Sequence, residues 1–433
     1  MFVLNITGKP ENGFIAAAFK VIRVDFCYRM LYIGGMLSRR NWKALNVICI
    51  ILLTCSCKKA FTPSLSASDS GSYLVIEGTI SGAADSTIIK LSRTKKVDTL
   101  KTIIPELNAT LTVESDANSI YPLSPTAIAG TYACTPIYLD PAHKYRLRIK
   151  TADSKEYLSD FVAVKNAPPI DSVGFVAQTD GVHIYVNTHD DANATKYYRW
   201  DYSEGWQFHS KYVSGYYSSG SKLFARPSSQ QVYNCFGNDV SDNVIIASTT
   251  KLTNDIIYQA PLTLIPANSE KIETKYSILV KQYALTSDAY SFWDNLQKNT
   301  EKLGSIFDVL PSQAPTNFHC LTNPSELVIG YLSVGNASSK RIFITAGQLL
   351  STYSPLYPCA CKLDTAFDNP DPKILTQKQT NILVPANSPY IPVTGLFIPP
   401  DNPFGGPNAY TFSTILCVDC TVRGSRTAPP YWK

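Results

Sequence analysis

The side chains with chemistry to offer are the cysteines, the histidines and one dense run of aromatics. Beyond Cys57 the cysteines are Cys134, Cys235, Cys320, Cys359, Cys361, Cys417 and Cys420, with close pairs in "CAC" (359–361) and "CVDC" (417–420). Thiolates at such spacing can share one tetrahedral zinc, and a CxxC pair can also cycle between dithiol and disulfide. Redox cycling needs a helix start or a cation to lower a thiolate pKa, and no helix start is evident around "CVDC". An exported chain meets an oxidising compartment, where disulfides are the default. Cys235, Cys320, Cys359, Cys361, Cys417 and Cys420 are therefore expected to pair among themselves, with Cys134 as the odd thiol. Their connectivity stays open, because six cysteines can pair in many ways. No metal site and no cofactor is expected.

None of the five histidines belongs to an HExxH or comparable ligand pair. "HDD" (189–191) could hold a cation, but "DDANAT" reads better as a solvated turn between strands. There is no GxSxG, P-loop or GxGxxG in a strand–turn–helix setting, and the carboxylates Asp201 and Glu204 have no distinguishing context. The chain is expected not to be an enzyme. The aromatic run holds Tyr197, Tyr198, Trp200, Tyr202, Trp206 and Phe208. It is either sheet core with cross-strand pairs or a platform for a partner, for which Tyr198, Trp200 and Trp206 are the candidates.

The elements that must position these residues are mostly strands. Many Thr, Ser, Tyr, Val and Ile and 28 prolines indicate short β elements with frequent turns. "YLVIEGTI", "STIIKLSR", "ATLTVES", "GTYACTPIYL", "KYRLRIKT" and "EYLSDFVAVK" suggest an immunoglobulin- or fibronectin-like sandwich over residues 73–167. The tandem prolines of "NAPPIDSV" end it, and a larger β-rich domain is expected over 168–433. The expected fold class is thus mainly β. One helix is expected over 287–303, with Thr286 or Ser287 as its cap, a stripe of Ala289, Phe292, Trp293 and Leu296, and Gly304 as its stop.

The net charge of +5 misleads about partners. Of 39 basic and 34 acidic residues, seven and two precede Cys57, which leaves 32 of each in the body. A neutral body gives no electrostatic reason to expect nucleic acid. From Met36 the chain reads "MLSRRNWKALNVICIILLTCSC": basic residues, then a short apolar run, then small residues before a cysteine. The expectation is a lipoprotein signal peptide over 36–57, with Met36 as the working start and residues 1–35 an extension upstream of it. Cys57, with Ser56 before it, is the expected lipidated residue in preference to Cys55. Acyl chains on Cys57 would hold the protein to a membrane, and the polar residues 58–72 would be the tether.

Several stretches carry a resemblance. They are "LVIEGTI", "GTYACTPIYLDPAHKYRLRI", "PPIDSV", "YYRWDYSEGWQF", "YSILVKQYALTSDAYSFWDNLQKNTEKLGSIFDVLPSQAPTNFHC", "ELVIGYLSV" and "CVDCTVRGSRTAPPYW". Together they resemble a family of Bacteroidota lipoproteins that carry domain of unknown function 4249. The resemblance departs at "SEGW", where an acidic or Thr residue is expected in place of Gly205. It implies an outer-membrane lipoprotein, accessory to a TonB-dependent receptor in nutrient uptake, with a structural or glycan-binding envelope role as the alternative. Lys58 and Lys59, where surface-exported members tend to be acidic, favour the periplasmic face.

Overall fold

The computed structural model describes residues 72–82, 86–94, 103–219, 222–300, 315–357, 359–367, 388–397, 407 and 409–432. The extension, the signal peptide, Cys57, nearly all of the tether and the stop at Gly304 lie outside them. Among the described residues, no helix is long and apolar enough to cross a membrane.

Period-two alternation sets the first core. In Lys144–Lys150 the side chains of Tyr145, Leu147 and Ile149 are buried, while Arg146 and Arg148 face outward onto Glu114 at 2.7 and 2.6 Å. Leu74, Ile76, Ile89, Leu91, Leu111, Val113 and Tyr132 join the same core from neighbouring strands. Each such fully buried side chain contributes about 1.5–3 kcal/mol of transfer free energy.

The sheet around this core runs, strand by strand, Phe318–Cys320, Glu156–Ser159, Lys144–Lys150, Thr110–Ser115, Ile120–Pro125, Thr131–Cys134, Thr87–Arg93, Leu74–Ile80 and Val328–Ile329. Both of its ends come from one segment, 318–334. Phe318–Cys320 adds antiparallel to Tyr157–Ser159, while Val328–Ile329 and Ser333–Val334 add parallel to Leu74–Ile80. Thr316 and Asn317 join the two edges: Thr316 Oγ1 donates to Gly330 O at 2.7 Å, and Asn317 Oδ1 accepts from Leu332 N at 2.8 Å. This corrects the expectation of a first domain confined to 73–167. That stretch leaves both sheet edges open, and the chain returns more than 150 residues later to cover them.

Glu326 anchors the returning segment. It accepts from Tyr157 Oη at 2.5 Å and Lys155 Nζ at 2.7 Å, with Arg93 at 3.6 Å. Burial alone would raise its pKa, but the hydrogen bonds from Lys155 and Tyr157 and the charges of Lys155 and Arg93 hold it below the usual glutamate value. A carboxylate depressed in the fold contributes stability above its unfolded pKa of about 4.3, and that contribution is lost as pH falls through the lower folded value. Glu326→Gln is expected to lose about 1–3 kcal/mol at pH 7 and less at pH 3. Urea unfolding at the two pH values measures the difference; an equal loss at both would sink this account.

The second core begins at Ile170, just past Pro168 and Pro169. A three-stranded sheet (Ile170–Gln178, Gly181–His189, Ile256–Pro266) packs on a larger one (Asn234–Val240, Tyr197–His209, Lys275–Ala284, Ser338–Thr345). Val182, Ile184, Val186 and Thr188 point inward, as the alternation of "GVHIYVNT" requires. The helix runs Ser287–Thr300; Thr286 Oγ1 accepts from Ala289 N at 3.2 Å and caps it, and Ala289 and Phe292 are its buried stripe. The C-terminal part forms a small sheet of Asp364–Phe367, Ala409–Thr414 and Tyr390–Leu396. The molecule is thus mainly β, with one substantial helix among the described residues.

Candidate functional site

The strand Tyr197–His209 positions the site. Its even-numbered side chains, Tyr198, Trp200, Tyr202, Glu204, Trp206 and Phe208, are all buried. Five are aromatic and one is a carboxylate. Glu204 faces inward because the register allows nothing else: a strand that turns Trp200 and Phe208 into the core must turn residue 204 the same way.

A buried carboxylate needs partners, and Glu204 has two. Tyr276 Oη, itself fully buried, donates to Glu204 Oε1, and Lys271 Nζ donates to Oε2. Lys271 also reaches Asp239 Oδ2 at 3.1 Å and lies 4.9 Å from the centre of the Trp206 ring. Burial alone would lower the Lys271 pKa, but the hydrogen bond and charge of Glu204, then of Asp239, hold it above the ordinary lysine value. Burial and the Glu204 charge push the Tyr276 hydroxyl well above the ordinary tyrosine value. Lys271 is therefore a fixed cation and Tyr276 a fixed donor.

Glu204, Asp239 and Lys271 border a cleft of about 240 Å³ beside the second core. Tyr202, Glu204, Asp239, Asp242, Thr263 and Lys271 are among its polar lining, and Val240, Leu264, Ile265 and Pro266 add apolar surface. Three carboxylates face one ammonium, with hydroxyl and amide groups between them. Such a lining recognises a cationic or hydroxyl-rich group. Lys271 and Glu204 are committed to each other, with both Glu204 oxygens accepting hydrogen bonds, and Asp239 and Asp242 complete the acidic lining.

The structure sorts the residues singled out in the sequence. Tyr198 and Trp200 are at most 1% exposed and Trp206 is 9% exposed. Tyr198 and Trp200 are core, which corrects their candidacy as a partner-binding platform; Trp200 Nε1 spends its proton on Gln282 Oε1 at 2.8 Å. Only Trp206 touches the site, beneath Lys271. Asp190 of "HDD" accepts from the backbone N–H groups of Ala192, Ala194 and Thr195, which makes the segment a turn.

Two disulfides form among the described residues, Cys235–Cys420 and Cys361–Cys417. Cys134 is free, and so are Cys320 and Cys359, which corrects the expectation that all six later cysteines pair. Cys320 is unpaired because its strand joins the first sheet and buries the thiol in the first core. Cys359 lies in a group with Cys361 and Cys417 that could hold a soft metal ion only with all three reduced; the disulfide already ties up two of them.

The buried acidic position in the aromatic strand is legible in the sequence. Glu204 shares the phase of the aromatics, so a buried carboxylate follows from counting by twos. Lys271, Asp239 and Tyr276 carry no such signal, since only the tertiary fold brings them to Glu204. The C-terminal aromatics were missed as well. Tyr431 and Trp432 cover the outer face of the larger sheet, where Arg341 stacks 3.6 Å from the Tyr431 ring centre and Trp432 meets Phe236 and Phe343 edge-on.

This cover explains Gly205. A β-carbon there would lie 2.3 Å from Tyr431 Oη but 3.4 Å from the next ring atom. Gly205→Ala is expected to lose about 1–3 kcal/mol through overpacking. Adding Tyr431→Phe, which removes the clashing oxygen, is expected to restore much of that loss. Thermal unfolding of the two single variants and the double variant measures the coupling, and strict additivity would contradict it.

A sequence model described as a domain of unknown function, DUF4249, matches residues 58–341, well over half of the chain and the part that carries Glu204, Asp239, Lys271 and Tyr276. No curated protein matches the chain. The chain therefore belongs to the DUF4249 family.

Proposed function

We propose that this chain is a lipid-anchored outer-membrane protein of the Bacteroidota envelope whose task is binding, as an accessory to a TonB-dependent receptor in nutrient uptake. The cleft beside Glu204 carries the proposal. Hydrogen bonds hold Glu204 and Lys271 in place, and the acidic groups of the lining outnumber its single ammonium. The partner or the partner's substrate presents a cationic or hydroxyl-bearing group to Asp239 and Asp242. Acylated Cys57 holds the two folded cores at the membrane, on the periplasmic face that Lys58 and Lys59 favour. A glycan-binding envelope role is the second reading, because Tyr202 lines the same cleft and Trp206 underlies its lysine.

The proposal is tested by affinity capture from native membranes with wild type and with Asp239→Lys/Asp242→Lys. Wild type is expected to recover a TonB-dependent receptor and the charge-reversed variant to lose it. Repeated capture by wild type without any such receptor would overturn the reading. Glycan arrays silent for the intact protein would remove the second one.

A further inference from the structure

The C-terminal sulfur cluster holds three cysteines and one bond. Cys361 is bonded to Cys417, and the free Cys359 sulfur lies 3.0 Å from Cys417 Sγ and 4.0 Å from Cys361 Sγ. Cys417 is fully buried against Val393 and Val418, whereas Cys359 and Cys361 are half-buried on one turn, separated by the exposed Ala360. The hydroxyl of Thr414 lies beside two of the three sulfurs, 3.5 Å from Cys359 and 3.3 Å from Cys417.

We propose that Cys359, Cys361 and Cys417 form a thiol–disulfide exchange site, in which one disulfide migrates between two outer sulfurs while buried Cys417 is shared. The Cys359 thiolate attacks Cys417 Sγ, the Cys359–Cys417 bond forms and the Cys361–Cys417 bond breaks. Cys361 leaves as the thiolate and takes up the proton that Cys359 gave up, so nothing is oxidised or reduced overall. The attacking, central and leaving sulfurs must come into line, which requires the 359–361 segment carrying both outer sulfurs to shift. Chain entropy does not choose between the pairings, since the loops they close span 56 and 58 residues. One half-buried sulfur is thus spare, and exchange would alternate it between Cys359 and Cys361.

The test uses the full-length oxidised protein held folded at pH 8. Free thiols are then trapped with N-ethylmaleimide at pH 6.5, followed by digestion in acid and mass spectrometry with fragmentation between Cys359 and Cys361. Exchange predicts the label on both Cys359 and Cys361, in proportions within about tenfold of each other. Cys361→Ala is expected to form a Cys359–Cys417 bond, and Cys359→Ala to keep Cys361–Cys417. Label confined to Cys359 in wild type, or two labelled thiols at Cys359 and Cys417 in folded Cys361→Ala, would overturn the proposal. The wild-type map stands by itself if a variant fails to fold.

Discussion

Glu204→Ala is expected to lower the stability of the folded protein by about 3–5 kcal/mol, measured by urea unfolding at pH 7. The loss is not that of one contact. Removing the carboxylate leaves the fully buried Tyr276 hydroxyl without its acceptor and leaves Lys271 with Asp239, a side chain 55% exposed to water. Both are costs of stranded polar groups, which exceed the net worth of the interaction that satisfied them. Glu204→Gln keeps the shape and an acceptor for Tyr276, so it should lose less. The pH dependence has a definite sign. Lys271 titrates higher in the fold than in the unfolded chain. Its pairing therefore stabilises below the ordinary lysine value of about 10.4 and is lost as pH rises through the higher folded value. Wild type should weaken in strong alkali through this group, and Glu204→Ala should lack most of that decline. A variant as stable as wild type at pH 7 would show that the pair is dispensable to the fold.

The second large effect is expected at Cys235–Cys420. This bond joins residues 185 apart and ties the C-terminal segment to the strand Asn234–Val240. In the chain-entropy description a loop of that length is worth about 5 kcal/mol, and removal of native disulfides typically costs about 2–5 kcal/mol. Cys235→Ala/Cys420→Ala is therefore expected to lose about 3–5 kcal/mol in non-reducing urea titration. Local contacts near the bond are the Ser425 bridge to Phe236 and the Arg423–Glu270 ion pair. Without the bond these, together with the ring contacts of Tyr431 and Trp432, must hold the terminus on the sheet. Limited proteolysis should then cut first in residues 421–432, before the sheets are attacked. Cleavage elsewhere first, with the terminus intact, would contradict this role.

What the sequence disclosed follows from the range of each interaction. Alternation in "KYRLRIK" and "GVHIYVNT" and the cap at Thr286 are local, and the structure repeats them. The return of 318–334 to the first sheet is a pairing across more than 150 residues, and nothing within "NFHC" or "ELVIGYLSV" names its partner strand. The aromatic run announces core by its alternation, whereas Glu204 within it has no motif around it. Its context was its phase. Cys320 was grouped with the later cysteines by position in the chain, whereas strand pairing assigns it to the first core. Gly205, unexplained by the sequence around it, acquires its reason only from Tyr431, more than 200 residues away.

Cross-linking in the native outer membrane, read by mass spectrometry of the full-length protein, tests the central claim most directly. The account predicts an acylated Cys57 and cross-links from the cleft side of the second core to a TonB-dependent receptor. An unmodified Cys57, or a receptor absent from the linked peptides while other neighbours are recovered, would contradict it.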